Sequence, residues 1–182
     1  MPVCLGRTSL RMMTTLVDAA SAHGVFVRGD WRSTVGSYER YNPARPAELV
    51  GRFAVAGAAE VDCAFAAARA AAPGWQAVGA IARGEVLQRA AAELDRRREE
   101  VARAMTAEEG KAIRDARAEV ARGSAILRYF AGECAQPEGE VYASAAPGTL
   151  LYTVREPLGV VAAITPWNFP VAIPLTDEHL HH

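Results

Sequence analysis

The sequence predicts an α/β chain, and three observations carry that prediction. Apolar residues recur at helical spacing through much of residues 59–134. Leu150, Tyr152 and Val154 alternate with Leu151, Thr153 and Arg155, which is the period of a half-exposed strand. An unbroken apolar run, Val160-Val161-Ala162-Ala163, is introduced by Pro157 and Gly159 and ended by Pro166. A short apolar run punctuated on both sides reads as a strand of a parallel sheet, buried on both faces.

The elements follow in chain order. Residues 25–27 and 38–41 read as short strands with Gly and Asn-Pro turns between them, and residues 49–55 as a third. Residues 59–72 are Ala-rich and helical, with Pro73-Gly74 as the expected stop. Residues 81–98 form a second helix with Leu87, Ala90, Ala91 and Leu94 on one face. Residues 95–100 are a charge run, which reads as a solvated helix face. A third helix covers residues 99–109 and ends at Gly110. A fourth, over residues 113–134, puts Val120, Ser124, Leu127 and Ala131 on one stripe, with Tyr129 and Phe130 read as core. Residues 141–144 and 149–155 form a ribbon around Ala146-Pro147-Gly148, and residues 159–164 a central-type strand.

Composition excludes several function classes. Half of the 182 residues are hydrophobic and the formal net charge is −1. No basic excess exists to neutralise phosphates, so nucleic acid is not an expected partner. No apolar stretch is long enough to span a bilayer, so no membrane partner is expected. Lys111 is the only lysine; every other basic residue among the twenty Lys and Arg is arginine. The three cysteines, Cys4, Cys63 and Cys134, show neither metal spacing nor a disulfide framework. Cys63 reads as a small core residue, and the pattern points to a reducing, cytoplasmic compartment. In residues 1–22, Arg7 and Arg11 precede an apolar patch that Thr14, Thr15 and Asp18 interrupt, a poor core for a signal peptide. The expectation there is an upstream start, with Met12 or Met13 the true beginning, or else a short helical arm.

The stretch richest in chemistry is Ile164-Thr165-Pro166-Trp167-Asn168-Phe169-Pro170. In open α/β sheets, ligands bind just outside the carboxyl ends of strands. Asn168 brings an uncharged NH2 donor to such an end, and a donor of that kind suits an oxyanion hole. Alone it would read as a turn residue or helix cap, since Asn favours both.

Arg155-Glu156-Pro157-Leu158-Gly159-Val160-Val161 followed by this motif resembles the aldehyde dehydrogenase superfamily. The resemblance continues upstream in order. Gly29-Asp30-Trp31 is similar to an early Gly-Glu-Trp strand pair, and Tyr41-Asn42-Pro43-Ala44 to an Asn-Pro-Ala turn. Glu60-Val61-Asp62, Ala66-Ala67-Ala68-Arg69 and Trp75 resemble the first helix. Glu109-Gly110-Lys111 and Glu119-Val120 resemble the next landmarks. The fold so implied is a truncated aldehyde-dehydrogenase-like α/β fold, a helical bundle on a partial cofactor-binding sheet plus a β-ribbon. Its parts would be a non-family extension over residues 1–22 and the start of the cofactor domain over 23–138. An oligomerisation ribbon would follow over 139–156. Residues 157–174 would hold the first strand of the cofactor sheet with the oxyanion Asn, and 175–182 a non-family tail.

The resemblance implies a chemistry. A cysteine thiolate attacks an aldehyde or semialdehyde, hydride leaves to NAD or NADP, and a glutamate activates the water that hydrolyses the thioester. Asn168 would be the catalytic oxyanion donor, and Ile164, Thr165, Pro166 and Trp167 would line the cofactor cleft. Residues 140–156 would join subunits into a homo-oligomer. Tyr129-Phe130-Ala131-Gly132-Glu133 and Val154-Arg155-Glu156-Pro157 resemble the semialdehyde-oxidising subgroups most. None of the three cysteines resembles the family's nucleophile in context, and no Gly-x-Gly-x-x-Gly is present. The expectation is therefore an N-terminal fragment from a truncated or frameshifted reading frame, inactive alone. The alternative is a non-catalytic fragment that pairs with intact family subunits. The closing Asp177-Glu178-His179-Leu180-His181-His182 is too crowded to read as a zinc site, and no metal is expected.

Overall fold

The computed structural model describes residues 22–177, so the expected arm before them and the tail from residue 178 onward lie outside the described residues. The chain opens on two small β units. β1 (Ala22–His23) lies parallel to β5 (Arg45–Val55), and β4 (Gly36–Asn42) runs antiparallel to β5 on its other side, giving the order β1-β5-β4. Between them β2 (Val25–Val27) and β3 (Asp30–Arg32) form a hairpin. Its two turn residues, Arg28 and Gly29, both take positive φ, 58° and 83°. Two such residues make the primed turn whose twist matches that of paired strands.

Helix α1 (Ala58–Ala77) starts where the Glu60 carboxylate accepts the Gly57 N–H at 2.7 Å. It does not stop at Pro73-Gly74, as the sequence predicts, but continues one turn further. Proline removes one ladder hydrogen bond. No residue of α1 is fully buried, so the carbonyl that loses its partner can turn to water. The chain turns instead at Gly79, where φ is 80°.

Three helices then build the core. They are α2 (Ala80–Arg96), α3 (Arg98–Glu109) and α4 (Ile113–Glu133). On α4, Ala116, Glu119, Val120, Gly123, Ser124 and Leu127 are buried, a continuous stripe at helical spacing. Ala102, Met105, Ala116 and Val120 form the buried cluster, with Leu94, Val101, Ile113 and Val171 packed against it. Burying a side chain such as Val120 or Met105 stabilises by about 1.5–3 kcal/mol. Tyr129, read as core from its spacing, is exposed. It stands outside the buried stripe, where it packs edge-on against Phe130. Cys63, read as a small core residue, is half-buried; Cys134, at the end of α4, is free.

The charge run between α2 and α3 is solvated as expected, but it also joins helices. Arg128 of α4 reaches Asp95 at 2.5 Å, and Arg117 of α4 grips Glu99 of α3 through two bonds of 2.8 Å. Arg117 first, and then Arg103, hold the Glu99 carboxyl well below its usual 4.5, at about 2. A depressed carboxylate pKa contributes stability that is fully present above 4.5 and is lost as pH falls toward 2. Thermal unfolding between pH 5 and pH 2 should therefore show a steeper acid loss in the wild type than in Glu99→Gln. Parallel acid profiles would refute it.

After α4, β6 (Val141–Tyr142) pairs antiparallel with β7 (Leu151–Tyr152). Two further bonds, from Thr153 N–H to the Glu140 carbonyl at 2.9 Å and from Arg155 N–H to Glu138 at 2.8 Å, lengthen this ribbon. Residues 159–164, expected as a central strand, have no strand partner among the described residues. A strand exists only where a neighbour completes its ladder. Leu158, Val161 and Ile164 are accordingly exposed. A short helix, α5 (Ala172–Asp177), packs against α4 and closes the described chain.

Candidate functional site

The motif at residues 166–170 lies where the exposed run turns into α5. That turn is held from beneath by a polar anchor. The Lys111 ammonium donates to the backbone carbonyl of Asn168 at 2.7 Å and to Glu119 Oε2 at 2.5 Å. It also lies 3.4 Å from Glu109 Oε1 and 4.5 Å from the centre of the Phe169 ring. The second oxygen of Glu119 accepts the backbone N–H groups of Val171 and Ala172, at 2.9 and 3.2 Å. These amides precede and begin α5, where N–H groups lack helical partners and favour an anion.

Local structure explains why these groups meet. α3 ends at Gly110, whose φ of 83° is the left-handed cap that glycine tolerates best. A Cβ there would also come within 2.8 Å of Pro43 Cγ in the Asn-Pro turn. The cap turns Lys111 back toward α4. Glu119 sits on the buried stripe of α4 and is 4% exposed. Burying a carboxylate is costly unless its oxygens are paired, and here both are. For Lys111, burial works against the charged form, but the hydrogen bond and charge of Glu119, with Glu109, outweigh it and raise the ammonium pKa above its usual 10.5.

α5 comes close to α4 at Gly123. A Cβ at that position would lie 2.9 Å from Val171 Cγ1 and 3.0 Å from Leu175 Cδ1. Gly123→Ala should therefore loosen α5 despite alanine's better helix propensity. Hydrogen exchange across residues 168–176 is the check. Unchanged exchange there would show that the contact yields without cost.

The residues singled out in the sequence share one strip that ends at this anchor. Ile164 is 96% exposed, Thr165 is half-buried, and Pro166 is exposed. Trp167 is 79% exposed. Asn168 is also exposed, and no contact among the described residues engages its side-chain amide. The backbone of Asn168 is thus gripped while its donor stays free.

The aldehyde dehydrogenase family model matches residues 31–177, which includes the hairpin strand β3, the core helices, the ribbon and the motif. The chain belongs to the aldehyde dehydrogenase family. It is 41% identical over 152 residues to an α-ketoglutaric semialdehyde dehydrogenase of Bacillus subtilis, covering 82% of this chain and 31% of that protein. It is 33% identical over 150 residues to a glutarate-semialdehyde dehydrogenase of Pseudomonas putida, with 81% and 31% covered. Among solved structures, PnpE in complex with nicotinamide adenine dinucleotide matches with a TM-score of 0.79 and 38% identity, over 84% of this chain and 32% of that one. The aldehyde dehydrogenase of Brucella melitensis matches with a TM-score of 0.82 and 29% identity, over 90% and 34%. The chain thus spans about a third of the length of the aldehyde dehydrogenases it matches, and its α/β fold is the corresponding part of theirs.

Sequence reasoning treated Lys111 and Glu119 only as landmarks of the aldehyde dehydrogenase pattern. A signal for them was present. Glu119 falls on the apolar stripe of α4, and a carboxylate there needs a buried partner. Lys111 is the single lysine in a chain that otherwise uses arginine.

Proposed function

We propose that this chain is the N-terminal portion of an NAD(P)-dependent aldehyde dehydrogenase that oxidises a semialdehyde to a carboxylic acid, with Asn168 as the side-chain donor of its oxyanion hole. The observation that carries the reading is Asn168 itself. Its backbone is held at 2.7 Å by Lys111, and its amide projects unengaged from an exposed strip inside the family match. A preorganised neutral donor aimed at developing negative charge is what acyl-transfer intermediates require. The semialdehyde class is supported by the relatives, several of which are named for such substrates.

The cofactor fit is partial. Ile164, Thr165, Pro166 and Trp167 offer one exposed wall along which a nicotinamide cofactor, the hydride acceptor of such enzymes, would lie. The sequence contains no Gly-x-Gly-x-x-Gly turn to cradle a pyrophosphate. This portion therefore supplies a wall and an oxyanion donor, and the nucleophile and base must come from elsewhere in an assembled enzyme. A cytoplasmic setting agrees with the reading, and among the described residues no helix is long and apolar enough to cross a membrane.

The exposed ribbon supports a homo-oligomer formed through residues 140–156. The alternative, a non-catalytic fragment that pairs with intact subunits, would use the same surface. An assay separates them. The purified chain with NAD or NADP and α-ketoglutarate semialdehyde should reduce no cofactor above a buffer blank. The same chain joined to the remaining two thirds of the Bacillus subtilis relative should do so. Turnover by the chain alone would overturn the assignment of nucleophile and base to the rest of the enzyme, and none from the joined protein when correctly folded would overturn the enzymatic reading.

A further inference from the structure

We propose that Lys111 and Glu119 are positioning residues for Asn168, a two-point clamp that sets where the oxyanion donor points; this rests on the reading of Asn168 given above. Lys111 fixes the carbonyl of Asn168 itself. Glu119 fixes the N–H groups of Val171 and Ala172, three and four residues on. The bond from Lys111 to Glu119 couples the two grips into one unit. The Asn168 side chain thus projects from a backbone held at Asn168 itself and again three and four residues on, although it lies in an exposed turn.

The geometry also accounts for the lysine. Its acceptors diverge: Glu119 on α4, Asn168 on the turn, and Glu109 at the end of α3, with the Phe169 face alongside. An ammonium turns three donors in three directions. A guanidinium presents its donors in one flat fork and is bulkier. The Lys111 side chain is only 14% exposed. Arginine is the other residue among the twenty Lys and Arg, and its flat fork matches these divergent acceptors less well. The charged groups facing Lys111 are Glu109 and Glu119; the packed segment over residues 168–172 presents a carbonyl and a ring.

The chain contains one lysine and two asparagines, Asn42 and Asn168, so selective 13C labelling gives a reporter and an internal control. In Lys111→Met and Glu119→Gln, the Asn168 side-chain carbonyl signal should move or split while that of Asn42 stays in place. Amide exchange over residues 168–173 should rise by about tenfold or more, with α2 and α4 still protected. Lys111→Arg should not restore the wild-type Asn168 signal. An ion pair that only stabilises the fold would lower the melting temperature of each variant and leave that signal unmoved. This outcome overturns the proposal.

Should the variants fail to fold, the wild type provides the test. Acylation of Lys111 in the folded chain should be much slower than that of N-acetyl-lysine, and once complete it should shift the Asn168 signal. Free reactivity, or an acylated protein with an unchanged Asn168 signal, overturns the clamp. If Asn168→Ala left turnover of the joined enzyme unaltered, the oxyanion reading would fall while these signals stood.

Discussion

Asn168→Ala, in an enzyme completed by the remaining two thirds of the family fold, is expected to lower turnover by ~10²–10³ while leaving KM for the aldehyde within a few-fold. The asymmetry follows from where the charge appears. A ground-state carbonyl oxygen is neutral and makes weak use of the amide. The oxygen of the tetrahedral intermediate is negative and makes strong use of it. Asn168→Asp should be at least as damaging, because an ionised carboxylate repels the same oxygen. The substitution should be silent in folding, since the Asn168 side chain is exposed and engages no described residue. Steady-state kinetics with melting temperatures would decide. A variant within tenfold of wild-type turnover would show that Asn168 serves the turn rather than the reaction.

The second large effect concerns association. Val141, Leu150, Leu151, Tyr152 and Val154 leave both faces of the ribbon exposed and apolar. Leu158, Val161, Ile164 and Trp167 extend that surface along a segment with no strand partner among the described residues. Unpaired edges with apolar faces recruit other chains. The chain is therefore expected to run as a concentration-dependent oligomer or aggregate in size-exclusion chromatography with light scattering. Its thermal transition should sharpen and rise with concentration. Leu150→Glu with Tyr152→Glu should shift the population toward monomer if the ribbon is the contact. A sharp wild-type monomer peak, with a transition independent of concentration, would disprove this expectation.

Much of this molecule was legible in its sequence because local physics sets it. The core helices α2, α3 and α4 begin and end within about two residues of where apolar periodicity and the glycine at 110 place them. The ribbon is announced by its period of two, whereas the strand at residues 30–32 that completes the hairpin is legible only in the resemblance of Gly29-Asp30-Trp31 to a family strand pair. The family, and with it Asn168, is carried by a motif of consecutive residues, which needs no tertiary information to be seen.

Elsewhere the outcome depended on what packs against what. Pro73 ends a helix by local rules, but an exposed helix can carry it because water is there to satisfy the freed carbonyl. Tyr129 has core spacing but stands beside the stripe that the neighbouring helices cover. Residues 159–164 have the composition of a buried strand, yet a strand forms only beside a partner. The clamp is the clearest case. Lys111 and Glu119 lie eight residues apart, and Asn168 is 57 residues beyond Lys111, so no local rule joins them. The sequence alone determined the family and the helices, and it singled out Asn168. Only the tertiary structure decided what holds the backbone of that residue, because a buried ion pair between distant segments exists only once packing has removed the water between them.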